Sequence, residues 1–260
     1  MPDRARVYRT EAIVLRRSDF GEADRLLTVC TPNLGKLRLL AKGIRKLTSR
    51  KAGHLELFTR AQLLVARGRN LDIITQAQAI EPHARLRDDL WRLSHAYYVA
   101  ELMDHFSEEQ SENQPLYELF CDVLGWICDA TDLALTMRFF ELRMLSLAGY
   151  RPQLFECLRC NASLEPVTNF FSAESGGVLC PRCGEGQYGS RAISLPALKV
   201  LRYLQTREYR QCAQLQLRSS TQAEVEEILQ QYLIHILERK LKSVEFINIV
   251  RRGGPGSRSA

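Results

Sequence analysis

From Tyr8 to about residue 80 the chain alternates apolar and polar positions in short runs; from Leu86 the apolar positions recur at three- and four-residue steps. The first pattern belongs to strands, whose side chains point to opposite faces in turn, and the second to helices. Tyr8 to Arg16 carries Ile13-Val14-Leu15, and Asp24 to Cys30 carries Leu26-Leu27-Thr28-Val29. A turn at Pro32-Asn33-Leu34-Gly35 leads into a third strand, Lys36 to Lys42. Its Leu37, Leu39 and Ala41 fall on one face, and Lys36, Arg38 and Lys42 on the other. Leu55 to Ala66 and Leu71 to Ile80 are predicted to form a hairpin around Arg67-Gly68-Arg69-Asn70. Five short strands in about 80 residues predict a small closed barrel, since closure removes exposed edges; a five-stranded OB-type barrel is the simplest match.

The helical pattern predicts a first helix from Leu86 to about Phe106 and a second opened by Pro115. A third runs through Met137, Phe140, Leu142 and Leu145 to Gly149, its expected C-cap. Residues 151–193 lack helix periodicity and are rich in Cys, Gly and turn residues. Helices resume after Ser194, an expected N-cap, and Thr221 with Glu224 has the spacing of a capping box. The fold class is therefore α+β: an N-terminal OB-fold barrel over 1–80, then a helical domain in two parts, 81–150 and 194–250, with a cysteine-bearing element at 151–193 inserted between them. Residues 251–260 are too polar and Gly-rich to order themselves and are expected to form a disordered tail.

Charge adds a second division. The net +6 is unevenly spread: residues 1–80 hold 16 Lys and Arg against 7 Asp and Glu, residues 81–150 hold 5 against 13, and residues 151–260 hold 15 against 10. A basic, an acidic and a mildly basic segment in series point to separate partners; an unevenly charged solvated surface is the plainer alternative. No apolar run approaches the roughly 18–20 residues of a membrane span. The N-terminus lacks the apolar core of a signal peptide, so a cytoplasmic location and no membrane partner are expected.

Four of the eight cysteines form Cys157-x-x-Cys160 and Cys180-x-x-Cys183, separated by 19 residues, the spacing of a four-cysteine zinc site. Two residues between paired thiolates let both sulfurs of one turn point at a single tetrahedral ion. One structural Zn2+ per chain is expected. Disulfides are the competing reading, opposed by a reducing cytosol, and a redox Cys-x-x-Cys lacks its βαβ surroundings. The other cysteines, Cys30, Cys121, Cys128 and Cys212, are expected to be packing residues.

Other catalytic signatures fail on context. Gly184-Glu185-Gly186-Gln187-Tyr188-Gly189 matches G-x-G-x-x-G, but it follows a cysteine turn and opens no helix, so a mobile loop is expected. There is no Walker A sequence and no H-E-x-x-H, and the five histidines are scattered. No catalytic residue is assigned and no enzyme is expected. A zinc hydrolase or nuclease is the alternative of that class, opposed by four thiolates that leave no open position on the metal.

The basic segment has a stronger anchor. Lys36, Arg38, Lys42, Arg45, Lys46, Arg50 and Lys51 lie within 16 residues that contain no Asp or Glu. With Arg25 on the second strand they form the candidate DNA-binding set. Such a face neutralises phosphates and releases counterions, the salt-sensitive term of nucleic-acid affinity. Only three aromatics, Tyr8, Phe20 and Phe58, fall within residues 1–80, so base stacking is expected to contribute little. Single- and double-stranded DNA are both expected to bind, with weak sequence preference.

At these residues the chain resembles a known family. Glu11 to Leu15, Asp19 to Leu27 and Gly35 to Lys46 resemble the opening of the bacterial RecO family of DNA repair and recombination mediators. Ser49-Arg50, Gly53, Leu57-Phe58, Arg138 to Leu142, Gly149-Tyr150 and the paired cysteines continue the resemblance. It implies an OB fold, a helical domain and a zinc element. It further implies annealing of complementary strands and, with RecR, help in loading RecA onto single-stranded DNA coated by single-strand binding protein (SSB). RecF and RecA are implied as indirect partners, and a nucleoid-associated location follows. The acidic, hydrophobic SSB tail would need an apolar pocket with a cation. Arg138 and Arg143, on the helix of Phe139 and Phe140, are the candidates, with local helix ion pairs as the plainer alternative. An adaptor for SSB or RecR with only incidental DNA contact is the alternative function.

Overall fold

The computed structural model describes residues 6–109 and 111–253. Five strands close a barrel: β1 (Val7–Phe20), β2 (Asp24–Thr31), β3 (Gly35–Ala41), β4 (Arg60–Ala66) and β5 (Asp72–Glu81). The order is β1-β2-β3-β5-β4, with β4 returning to β1. All pairs are antiparallel except β3 with β5, joined in parallel at Leu39–Asp72 and Leu40–Ile73. This is the five-stranded barrel expected from the alternation.

β1 is longer than its sequence pattern suggests. A register shift between Val14 and Arg16 bends it, so its first half pairs with β4 and its second half with β2. The interior is filled by Ala12, Val14, Leu27, Val29, Leu39, Ala41, Ala61, Leu63, Val65 and Ile74. The fourth strand begins at Arg60, not at Leu55. Ala52–His54 instead forms a 3-10 turn, and Phe58 is wholly buried at φ 64°. There Phe58 N–H donates to Val14 O at 2.9 Å; Leu55 joins the barrel core and Phe58 packs edge-on to Tyr97, so neither extends a strand.

The first expected helix is broken into α1 (Arg85–Asp88) and α2 (Leu90–Phe106). Asp89 between them is extended, and its carboxylate accepts from Trp91 N at 2.8 Å and Arg92 N at 3.2 Å, a stronger N-cap than a mid-helix role. α3 (Gln114–Asp129) opens one residue before Pro115, with Asn113 Oδ1 accepting from Leu116 N. α4 (Leu133–Leu147) is capped by Asp132 and stopped at Gly149, φ 85°.

Then follow β6 (Asn169–Ser172), β7 (Gly177–Leu179), α5 (Pro181–Gly184) and β8 (Ser190–Ile193), with sheet order β7-β6-β8. The remaining helices are α6 (Leu195–Thr206), α7 (Tyr209–Cys212), α8 (Ser219–Leu237) and α9 (Lys242–Gly253). Ser194 caps α6 as expected. The capping box expected at Thr221 and Glu224 does not form: α8 starts at Ser219, and the Glu224 carboxylate accepts from Ser194 N at 2.7 Å and Ser194 Oγ at 2.6 Å. A long-range partner with two donors outcompetes the local one.

The chain forms two compact units, Met1–Asp129 with Lys242–Ala260, and Ala130–Leu241. In the first unit α9 packs on α2, with Phe246 edge-on to Tyr97. Arg251 and Arg252, assigned by sequence to the tail, are its last turn. The rest of that expected tail, 254–260, lies outside the described residues.

Glu101 of α2 fixes the start of α9, accepting from Lys242 N at 3.0 Å, Ser243 N at 2.8 Å and Ser243 Oγ at 2.5 Å. Burial opposes ionisation of this carboxyl, but the Ser243 and Lys242 donors outweigh it and hold it below its ordinary 4.5. A depressed carboxyl stabilises above its unfolded pKa and loses that contribution as pH falls through the folded value. Glu101→Ala is therefore expected to loosen α9 by about 1–2 kcal/mol at neutral pH. Hydrogen exchange of residues 242–253 should show it, with the difference from the parent protein shrinking under acid.

Candidate nucleic-acid interface and metal centre

The outer face of the barrel is built by register. Arg16 of β1 lies opposite Thr28 of β2, and Thr28 opposite Arg38 of β3, which places two arginines on one face across three strands. Arg38 is exposed, and the Arg16 side chain is 68% exposed. Arg16 is absent from the sequence-derived set because nothing local links it to residue 38; only strand pairing does.

The eight cations expected to touch DNA divide into two groups. Lys36 is only 20% exposed, and its ammonium meets Asp104 of α2 at Oδ1, 3.1 Å, and at the main-chain O, 2.5 Å. Arg25 Nε donates to Asp19 at 3.1 Å, and Arg45 reaches the same carboxylate at 3.3 Å. Lys51 donates to Ile74 O at 2.9 Å, and burial lowers its pKa. These four hold the scaffold, although Arg45 keeps an exposed guanidinium. Arg38, Lys42, Lys46 and Arg50 are exposed and have no ion pair or side-chain hydrogen bond among the described residues. Three of them lie on the segment after β3, which is pinned by Gly43 N to Asp24 Oδ1 at 2.7 Å and by Arg45 N to Ala23 O at 3.0 Å.

Asp104 is set against this face by an ion pair to Lys36 and a longer one, 3.8 Å, to Arg16. It had no signal in the sequence, lying 68 residues from Lys36. Asp104→Asn removes a like-charge repulsion on phosphate and frees Arg16. Single-strand affinity is expected to rise about threefold in a salt titration, with a steeper salt dependence.

In the second unit Cys157, Cys160, Cys180 and Cys183 converge, all four sulfurs within 4.8 Å of one another. The Cys160–Cys180 separation is 3.8 Å, far beyond the roughly 2.05 Å of a disulfide. A tetrahedron of sulfurs about 2.3 Å from a zinc ion has edges of about 3.8 Å. The donor set and spacing thus fit a metal ion. Locally, Asn161 at φ 56° turns the first knuckle, with its N–H on Cys157 O at 2.8 Å. In the second knuckle Cys183 N and Gly184 N donate to Cys180 O. Gly184 is required there, because a Cβ would collide with Phe170.

The thiol chemistry agrees. Burial resists ionisation of Cys157, but backbone N–H groups of Cys180, Cys160 and Arg159 bring it down to about 6. Its neighbour Cys183 is pushed up to about 12, first by the hydrogen bond with Cys180 and then by burial. Four sulfurs this close could hold a metal ion, whose charge would let all four ionise together. By contrast burial pushes Cys30, Cys121 and Cys212 up to about 11, as suits inert packing thiols.

Arg138 and Arg143 part company. Arg138 is buried against Glu141 at 2.6 Å and reaches Glu226 at 4.0 Å. Arg143 is half-buried, stacks 5.1 Å over the Phe139 ring and donates to Arg207 O. The local ion pair foreseen as the plainer alternative forms at Arg138 only.

Residues 5–83 match the family description "Recombination protein O N terminal", and residues 87–245 match "Recombination protein O C terminal". The chain belongs to the recombination protein O family. A curated "DNA repair protein RecO" from Roseiflexus sp. (strain RS-1) is 48% identical over 249 residues, covering 96% of this chain and 88% of that protein. Similar proteins of the same name come from Desulforudis audaxviator, 39% identical over 241 residues, and Dehalococcoides mccartyi (strain 195), 36% over 245; each alignment covers at least 92% of this chain and 96% of the relative. Membership gives the chain a role in DNA repair and recombination. Among the described residues no helix is long and apolar enough to cross a membrane.

Proposed function

We propose that this protein is a non-enzymatic recombination mediator that binds single- and double-stranded DNA and anneals complementary strands. The observation that carries this is the group of exposed cations Arg38, Lys42, Lys46 and Arg50, unpaired among the described residues and joined by Arg16 through strand register. Two DNA strands repel each other; a cationic face that neutralises phosphates on both lowers the barrier to their encounter without any bond being made or broken. No acid lies between Lys36 and Lys51 to weaken it.

In the recombination reaction the protein acts with RecR to help load RecA onto SSB-coated single strands, with RecF as a further partner and the nucleoid as its place of work. For the SSB tail, Arg143 stacked on Phe139 is the better-placed of the two candidates, because Arg138 is committed to Glu141. One structural zinc ion per chain sits among the four cysteines, held by residues that fit it and leave no position for a substrate.

The test is strand annealing of complementary oligonucleotides with Arg38, Lys42, Lys46 and Arg50 changed to Glu. Loss of annealing together with DNA affinity supports the mediator. Unchanged affinity with a flat salt response would instead favour an adaptor that touches DNA incidentally.

A further inference from the structure

The segment between β3 and β4 buries one apolar residue and displays another. Ile44 is 3% exposed and anchors the segment to the barrel core, whereas Leu47 is 106% exposed, at least as open as in an extended chain. The display is fixed and does not come from a loose loop. Lys46 N donates to Gly43 O at 3.2 Å and Ser49 N to Lys46 O at 2.9 Å, which closes one turn before Leu47 and a second that contains it. Arg45 N to Ala23 O and Gly43 N to Asp24 Oδ1 tie those turns to the β1–β2 connection. Arg45, Lys46 and Arg50, all exposed, surround the leucine in sequence.

We propose that Leu47 is an apolar wedge that contacts unpaired bases of a single strand held by the neighbouring cations; this rests on the DNA-binding reading above. A single exposed leucine on a surface ordinarily needs no explanation. Here it projects from a pinned turn flanked in sequence by the exposed cations Arg45, Lys46 and Arg50, where phosphate attraction would bring bases against it. Apolar side chains inserted between bases are an established device of DNA-binding proteins. An acidic peptide is the other polyanion to consider, but a peptide's apolar side chain needs a pocket, and Leu47 is convex. It suits a ligand that opens gaps of its own, as unstacked bases do.

The consequence is discrimination. Phosphate contacts position a strand but do not read whether its bases are stacked. A wedge gains contact with bases that are already unstacked and must first part stacked pairs in a duplex. Leu47 thus supplies the apolar base contact that the few aromatics of residues 1–80 do not.

The experiment compares full-length protein with Leu47→Ser and, separately, with Lys42→Glu and Lys46→Glu together. Each is titrated against a mixed-sequence single strand, the same strand with abasic sites, and the duplex, over a range of salt. Leu47→Ser is expected to weaken single-strand binding about fivefold at every salt concentration, leaving the salt slope, the abasic strand and the duplex unchanged. The charge variant should lose affinity for all three and flatten the slope. If Leu47→Ser binds like the parent while the charge variant weakens, the wedge is wrong and the DNA-binding reading stands. Equal weakening on normal and abasic strands also overturns it, since bases would then play no part. Should the charge variant bind DNA unchanged, the DNA-binding reading and the wedge fall together. An unchanged melting temperature confirms that the serine variant is folded.

Discussion

Reversing Arg38, Lys42, Lys46 and Arg50 to Glu together is expected to lower single-strand affinity about a thousandfold at low salt, and the slope of log K against log salt by about 3. Each phosphate that is no longer neutralised takes about 0.7 from the slope for a single strand, and four cations are removed. The choice of residues decides whether this result can be read. These four side chains are exposed and make no ion pair among the described residues, so their replacement should change stability by no more than about 0.5 kcal/mol apiece. Reversing Lys36 would set a carboxylate against Asp104, and reversing Lys51 would break its bond to Ile74 O. Either variant would confuse unfolding with weakened DNA binding. Fluorescence anisotropy across a salt series, with a melting curve for each variant, separates the two.

Removal of the metal should have the larger effect on stability. Purified protein is expected to contain one zinc per chain, and Cys157→Ser or a strong chelator should abolish it. The element that carries the cysteines is small: two short antiparallel pairings, β6 with β7 and β6 with β8, hold its sheet. Structural zinc in comparable small sites supplies an apparent ~10–16 kcal/mol of binding free energy at neutral pH. Even a fraction of that, removed from the second unit, lowers its melting temperature on the order of 10–15 °C. The wholly buried Cys157 makes the serine variant doubly costly, because a hydroxyl replaces a sulfur where there is no water. Metal binding displaces thiol protons, so zinc should be released progressively as pH falls. DNA affinity should persist, since the cysteines hold structure and the cations proposed to contact phosphate lie in the other unit. A metal-free protein with an unchanged melting temperature would remove the site.

Much of the fold was legible locally. The alternation of Leu37, Leu39 and Ala41 against Lys36 and Arg38 is a short-range property, and it correctly assigned β3 its inner face. Where the local signal misled, a distant partner had prevailed. Glu224 has capping-box spacing after Thr221, yet it bonds Ser194, 30 residues away. Leu55 and Leu57 have strand spacing, yet the chain turns there, burying Leu55 in the barrel core and Phe58 against Tyr97 of α2. The break at Asp89 was hidden because Leu86, Leu90 and Leu93 stay in helical phase across it.

By itself the sequence determined the period of each segment, the four cysteines at metal spacing and an acid-free cationic stretch. These are covalent spacings and side-chain types, unaffected by what the chain later packs against. Tertiary structure alone decided which cations are available. Register set Arg16 beside Thr28 and Arg38, and the packing of α2 set Asp104 on Lys36. An ammonium's affinity for phosphate depends on whether a carboxylate already holds it, and that neighbour comes from a part of the chain no local pattern connects to it.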